Sequence, residues 1–196
     1  MNMWMSLLLS SLALLPAPTA GPAGSPPAPE TVDPTFYELT HFADLAEVFN
    51  RDKGHVRLVT LLSPSCGYCI KGYRYLRKLL DEVDDDRLRM YVVWEPMLSG
   101  DSKELAERMS RKADDPRVVY QAWDEARITG EAWQKTLDLR GIAWDVYFLY
   151  DDAAAWTGDA PTPPAYWQHQ GQSETADVLD YERLKTKVEA MLAQAD

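Results

Sequence analysis

The stretch HVRLVTLLSPSCGYCIKGYRYLRKLLDE, residues 55–82, sets an apolar run, a proline, two cysteines and an amphipathic run in succession. Residues 55–63 read as a central strand, continuously apolar near its end. Pro64 stops it, having no N–H to donate to a sheet ladder. From Cys69 to Glu82, Ile70, Tyr73, Leu76 and Leu80 recur at helical spacing and are expected to face the sheet, with Lys71, Arg74 and Lys78 on the outer side. The cysteines therefore fall at a strand-to-helix junction.

Cys66 and Cys69 are the only cysteines in the chain. At a helix start the first thiol lies beside unpaired N–H groups whose partial positive charge favours a thiolate, and the second lies about one turn deeper. Cys66 is the expected catalytic nucleophile and Cys69 the catalytic resolving thiol, which attacks a mixed disulfide made by the first. Gly67 permits the close turn, and Tyr68 sets a ring beside the exposed sulfur. Two other readings stay open. A structural zinc site needs two more ligands, and only His41, His55 and His169 supplement the acidic side chains, none in a paired zinc-finger spacing. A purely structural disulfide closing so short a loop removes little unfolded-state entropy.

Outward from this junction, short apolar runs alternate with amphipathic helices, the pattern of an α/β layer structure. FYEL (36–39) reads as a first strand. Thr40 is the expected cap of a helix from His41 to Gly54, with Asp44 in its first turn and Phe42, Leu45, Ala46 and Phe49 on its inner face. LRMYVVW (88–94) is the next strand, Asp101 and Glu104 open a helix over SKELAERMSRKA, and PRVVYQAW (116–123) supplies another strand. GEAWQKTLDLR (130–140) reads as a helix ended by Gly141, and WDVYFLYD (144–151) as a long strand with AAAW returning beside it. TGDAPTPPAYWQHQG is a proline-rich excursion without periodicity. Asp180 caps a last helix through Leu184, Val188, Met191 and Leu192.

Residues 36–196 resemble the thioredoxin-like superfamily in the strand HVRLVTLLS, the Cys66-Gly67-Tyr68-Cys69 motif on its helix, the later string RGIAWDVYFLY and the closing helix, all in that order. The resemblance implies a central mixed sheet flanked by helices, here with an inserted strand-helix region between about Trp94 and Arg140. It also implies exchange of a Cys66–Cys69 disulfide with protein or small-molecule thiols, with an unidentified redox partner and no bound organic cofactor or metal. The alternative is a thiol-dependent metal-binding or protein-binding module on the same scaffold.

The chain departs from that family at several places. Ala143 stands where a cis-proline faces the active pair; a cis bond before alanine is costly, so a trans bond or a remodelled loop is expected. Ser65 replaces the tryptophan common before the first cysteine, and Arg74 replaces a common kink proline. Thr60 replaces the buried aspartate that assists proton transfer. Asp124 and Asp145, each following a tryptophan, are the candidates to replace that acid. Trp94, Trp123, Trp144, Trp156 and Trp167 are expected mostly in the core, the alternative being an aromatic substrate rim. His169 reads as a surface or loop-packing histidine, the alternative being a proton carrier or weak metal ligand.

With 20 Lys and Arg against 31 Asp and Glu, the net charge of −11 excludes unspecific nucleic-acid or anionic-lipid binding. Asp84-Asp85-Asp86 and Asp114-Asp115 read as solvated loops, since neither has the ligand alternation of a calcium loop. Residues 1–23, with the apolar run MSLLLSSLALL and no thiol behind it for lipid attachment, read as a signal peptide. Residues 24–35 read as a Pro/Gly-rich flexible lead-in. The expected location is extracytoplasmic, periplasmic or secreted, with no stable membrane span after processing.

Overall fold

The computed structural model describes residues 36–157, 160–171 and 176–195. The expectations for residues 1–23 and 24–35 lie outside them. The elements run β1 (Phe36–Glu38), α1 (Phe42–Arg51), β2 (Val56–Leu62), α2 (Gly67–Glu82), β3 (Leu88–Trp94), α3 (Lys103–Ser110), β4 (Val118–Trp123), α4 (Ile128–Leu137), β5 (Val146–Tyr150), β6 (Tyr166–His169), β7 (Asp177–Val178) and α5 (Tyr181–Leu192). Among the described residues they form a seven-stranded mixed sheet in the order β1-β4-β3-β2-β5-β6-β7. β1 to β4, β4 to β3 and β3 to β2 are parallel, whereas β5 runs antiparallel to β2 and β6 to β5. The inserted strand β4 enters the sheet between β3 and β1, with α3 packed on one face, so the architecture is the thioredoxin-like α/β one with an insertion.

Both faces are covered, which is why every residue of β2 is buried. Val56, Leu58 and Leu62 pack on one side with α2, α3 and α5. Val59 and Leu61 pack on the other with α1 and α4. This alternation puts Thr60 on the α2 side, opposite Tyr147 of β5.

Several boundaries differ from the sequence reading for local reasons. His41, not Thr40, is the N-cap of α1, without a side-chain bond to the helix. Ser102, not Asp101, caps α3 by accepting the Leu105 N–H, because Asp101 is committed elsewhere. α4 stops where Asp138 turns left-handed at φ 52°, three residues before Gly141. The proline-rich excursion supplies β6. Asp85 and Asp115 each hold the arginine two residues on, which orders the turns before β3 and β4.

AAAW does not return as a strand beside β5. Instead Asn50 of α1 brackets Trp156 by accepting its N–H at 2.8 Å and donating to its C=O at 2.9 Å. The indole stacks on Phe49 and meets Trp133 and Tyr150 edge-on. This buried plug joins α1, α4 and β5 on the face away from the cysteines. Trp156→Ala should lower the free energy of unfolding in urea by about 3–5 kcal/mol; a loss below about 1 kcal/mol would show that the plug does not anchor that layer.

Candidate active site

β2 ends at Leu62, and Ser63-Pro64-Ser65 carries the chain to Cys66, the N-cap of α2. The Cys66 N–H donates to the Ser63 carbonyl at 3.3 Å, and the Ile70 N–H to the Cys66 carbonyl at 2.9 Å. The Cys66 Sγ takes the capping role of an oxygen and accepts the Cys69 N–H at 3.4 Å. α2 therefore begins at Gly67, two residues earlier than the apolar spacing indicates. Neither cysteine is in a disulfide. Cys66 keeps 7% of its surface exposed and Cys69 none, while Tyr68 between them is 69% exposed. Both cysteines are buried, and only Cys66 retains any exposure.

Asp145 completes the cluster. One of its carboxylate oxygens and the two cysteine sulfurs all lie within 4.8 Å of one another. The backbone reaches this place by turning left-handed, at φ 54°, just before β5, with the Asp145 N–H donating to Leu61 at 2.7 Å. Two neutral groups donate to Oδ1, the Tyr147 hydroxyl at 2.9 Å and the Gln170 amide at 2.8 Å. Gln170 also donates to the Tyr68 carbonyl at 2.9 Å, tying the acid to the motif. Thr60 donates to the Val146 carbonyl at 2.8 Å. The carboxylate beside the cysteine pair thus comes from the residue preceding β5.

Burial pushes the Asp145 carboxyl above its ordinary range, opposed by the bonds from Gln170, Tyr147 and Cys69. Burial also pushes the Cys69 thiol up, and the Asp145 charge adds to it. Burial keeps Tyr147 a phenol, so it remains a donor. A buried thiol that resists ionisation beside a carboxylate with a raised proton affinity is suited to proton transfer between them.

The loop between β3 and α3 is bound to the motif by Asp101. This carboxylate accepts from Ser63 Oγ, from the Ser65 N–H and Oγ, and from the Met97 and Leu98 N–H groups, at 2.6 to 3.0 Å. Partial burial alone would raise its proton affinity; these donors instead hold it below the ordinary carboxylate value. Ser65 is thus a tether between the motif and this loop.

Of the two aspartates in WD dipeptides, only Asp145 approaches the thiols. Asp124 instead sits three residues before Arg127, the N-cap of α4, and accepts the first N–H groups of that helix, from Ile128 and Thr129, at 3.0 and 2.7 Å. His169 is the last residue of β6 and is buried, not at the surface, its Nδ1 accepting the Gly171 N–H and its Nε2 meeting the Ala176 carbonyl of the segment that follows. Trp94, Trp123 and Trp156 are buried and so form no rim; Trp144 and Trp167 are half-buried. The described residues contain no cis peptide, and Ala143 is held by its N–H to the Gly130 carbonyl at 3.1 Å. Cys66, Cys69 and Asp145 are also the three donors that a metal ion would find here. Tyr147 and Gln170 carried no sequence signal of their own.

No family model matches the sequence, and no curated protein matches it. Solved structures do. A secreted Mycobacterium tuberculosis disulfide oxidoreductase homologous to E. coli DsbE is 12% identical over 71% of this chain and 84% of its own, with a TM-score of 0.45. A thiol:disulfide interchange protein of the thioredoxin family from Chlorobium tepidum is 11% identical over 72% and 83%, with a TM-score of 0.46. A thiol:disulfide interchange protein from Bacteroides sp. is 17% identical over 74% and 77%, with a TM-score of 0.45.

Gly72 explains how the Tyr147 hydroxyl reaches Asp145. A Cβ at this helical position would lie 1.6 Å from the Tyr147 oxygen. Gly72→Ala should therefore displace the phenol and cost about 1–3 kcal/mol in denaturant unfolding. A crystal structure of the variant with the Tyr147–Asp145 bond intact would refute this role.

Proposed function

We propose that the protein is a thiol–disulfide oxidoreductase, in which Cys66 exchanges with a protein or small-molecule disulfide and Cys69 resolves the product. The observation that carries this reading is the buried Asp145 carboxylate within 4.8 Å of both sulfurs at the start of α2. The proposed setting is extracytoplasmic, supported by the apolar segment at residues 5–15 and by the use of the only cysteines as a close pair. No helix of the described residues is long and apolar enough to cross a membrane.

In the reducing direction the Cys66 thiolate attacks one sulfur of the substrate disulfide. A Cys66–substrate bond forms, the substrate S–S bond breaks, and one substrate thiolate leaves. The Cys69 N–H is aimed at Cys66 Sγ, where negative charge resides before attack. Cys69 then passes its proton to Asp145 and attacks Cys66 Sγ. The second substrate thiolate leaves and takes up a proton, so the pair has lost two electrons and the substrate has gained them. The reverse sequence oxidises a dithiol. Tyr147 and Gln170 orient the carboxylate without neutralising it.

The same residues allow a second reading as a metal-capture site, favoured by the third donor that Asp145 adds to the two thiols. The two readings separate when reduced protein is titrated with Zn(II) and assayed for exchange in parallel. Tight thiol-dependent binding with no exchange at any pH would replace the redox reading.

Mixed-disulfide trapping tests the assignment of roles. Cys66→Ser should abolish adduct formation with a disulfide peptide, and Cys69→Ser should accumulate an adduct on Cys66, both read by non-reducing mass spectrometry. Asp145→Asn should slow resolution by about 100-fold or more while leaving the first attack nearly unchanged. Because the acid must be ionised to accept the proton, resolution in the wild type should gain as pH rises through its elevated titration range, and Asp145→Asn should lose that limb. Adducts on Cys69 in the Cys66→Ser protein, with Cys66 unmodified in the reciprocal variant, would reverse the roles.

A further inference from the structure

A second acidic cluster lies at the same end of the sheet and is unused by this mechanism. Glu95, the residue after β3, is fully buried, as are Asp124 and Thr129. Its Oε1 accepts the Gly130 N–H at 2.8 Å and lies 2.9 Å from the Thr129 hydroxyl, which lies 2.7 Å from Asp124 Oδ2. Its Oε2 has no hydrogen-bond partner among the described residues. Packing here leaves no slack: a Cβ on Gly130 would fall 2.4 Å from Ile142, 2.7 Å from the Ala143 carbonyl and 2.8 Å from Glu95 Oε1.

The proton count locates the charge. The Thr129 hydroxyl has one proton and two carboxyl neighbours. Asp124 already accepts two backbone N–H groups at the start of α4, so it is the natural anion and the acceptor of the hydroxyl proton. The short contact from Glu95 Oε1 to Thr129 then requires a proton on Glu95. A neutral acid also suits an orphaned Oε2, since burying an unpaired carboxylate oxygen is far costlier than burying a carbonyl. The charged groups facing Glu95 are Asp124 after β4 and Arg127 before α4. Burial first, and Asp124 second, push its carboxyl up to about 8.

We propose that Glu95, in its neutral acid form, is a positioning residue that holds the Ala143–Asp145 loop in place against the cysteine pair. The connection is through backbone: Glu95 fixes the Gly130 N–H, the Gly130 carbonyl accepts the Ala143 N–H, and two residues later the chain makes the left-handed turn at Asp145. Ionisation sets two carboxylates within 2.9 Å of one hydroxyl that can donate its proton to only one of them, and in this dry site burial and the Asp124 charge outweigh the bonds from Gly130 and Thr129 that favour the anion, so the arrangement that seats Gly130 is weakened. Because its folded value lies above the ordinary one of 4.5, the contribution of Glu95 to folding declines as pH rises between 4.5 and about 8. The inference rests on the exchange reading of Cys66 and Cys69 for its functional consequence, whereas the loop restraint is measurable without it.

The experiment follows two quantities across pH 6 to 10, a range set around the elevated value near 8. One is the amide-exchange protection factor of Ala143, corrected for intrinsic base catalysis. The other is the rate at which Cys69 resolves a mixed disulfide on Cys66, in wild type and in Glu95→Gln, which is neutral at every pH. Ala143 protection in the wild type should fall by about tenfold or more from pH 6 to the Glu95 value of about 8 and level off above it, and should stay level throughout in Glu95→Gln. The ratio of variant to wild-type resolution rates should rise over the same range. Should Glu95→Gln fail to fold, the carboxyl carbon NMR titration of Glu95 in the wild type replaces it, with its midpoint at the pH where the fall in Ala143 protection levels off. A Glu95 carboxyl titrating at its ordinary value, or protection that is flat or falls equally in both proteins, overturns the inference and leaves the exchange reading intact. A pH-dependent Ala143 in a protein that exchanges no disulfide overturns both.

Discussion

A carboxylate is buried beside two thiols with only neutral donors to hold it, and the chemistry of this fold depends on that constraint. Asp145 gains orientation from Tyr147 and Gln170 but no compensating cation from either. Its charge and that of a Cys69 thiolate oppose one another, so a proton is more easily shared between them than lost by both. Much of the neighbouring structure serves this placement. Gly72 leaves room for the phenol, β5 lies against β2 in the register that sets Tyr147 opposite Thr60, and the left-handed turn brings Asp145 in from the edge of β5.

Three acids at this end of the sheet show how surroundings divide one functional group into different tasks. Asp101 collects donors from both sides of a loop and stays charged, so it acts as a tether between the inserted segment and the residues before Cys66. Asp124 accepts the first N–H groups of a helix. Glu95 has one backbone donor, an anionic neighbour and an orphaned oxygen, and is held neutral. The insertion carrying these groups is therefore built into the site: it supports the segment before Cys66 through Asp101 and the Ala143 loop through α4.

The cysteine pair and its junction were legible because local rules agree there: an apolar run, a proline stop and a helical period meet at Cys66. The α/β class and the insertion were legible for the same reason. An aspartate beside the thiols was legible only as one of two, because Asp124 and Asp145 sit in equivalent WD dipeptides and only the pairing of β5 with β2 separates them. Asp101 resembled a helix cap because Ser102, the actual cap, stands beside it. Gln170 lies in a proline-rich segment with no periodicity, and its contacts with Tyr68 and Asp145 span 102 and 25 residues. Such long-range polar contacts leave no trace in local pattern.

The most direct test of the central claim is a titration of the Asp145 carboxyl carbon by NMR in the dithiol and disulfide forms of the same protein. Oxidation removes the Cys69 proton and the possibility of a Cys69 charge, so an acid that exchanges a proton with that thiol must titrate differently in the two states. The account predicts a midpoint above the ordinary aspartate value in the dithiol form and displaced from it in the disulfide. Superposable titrations in the two forms would contradict it.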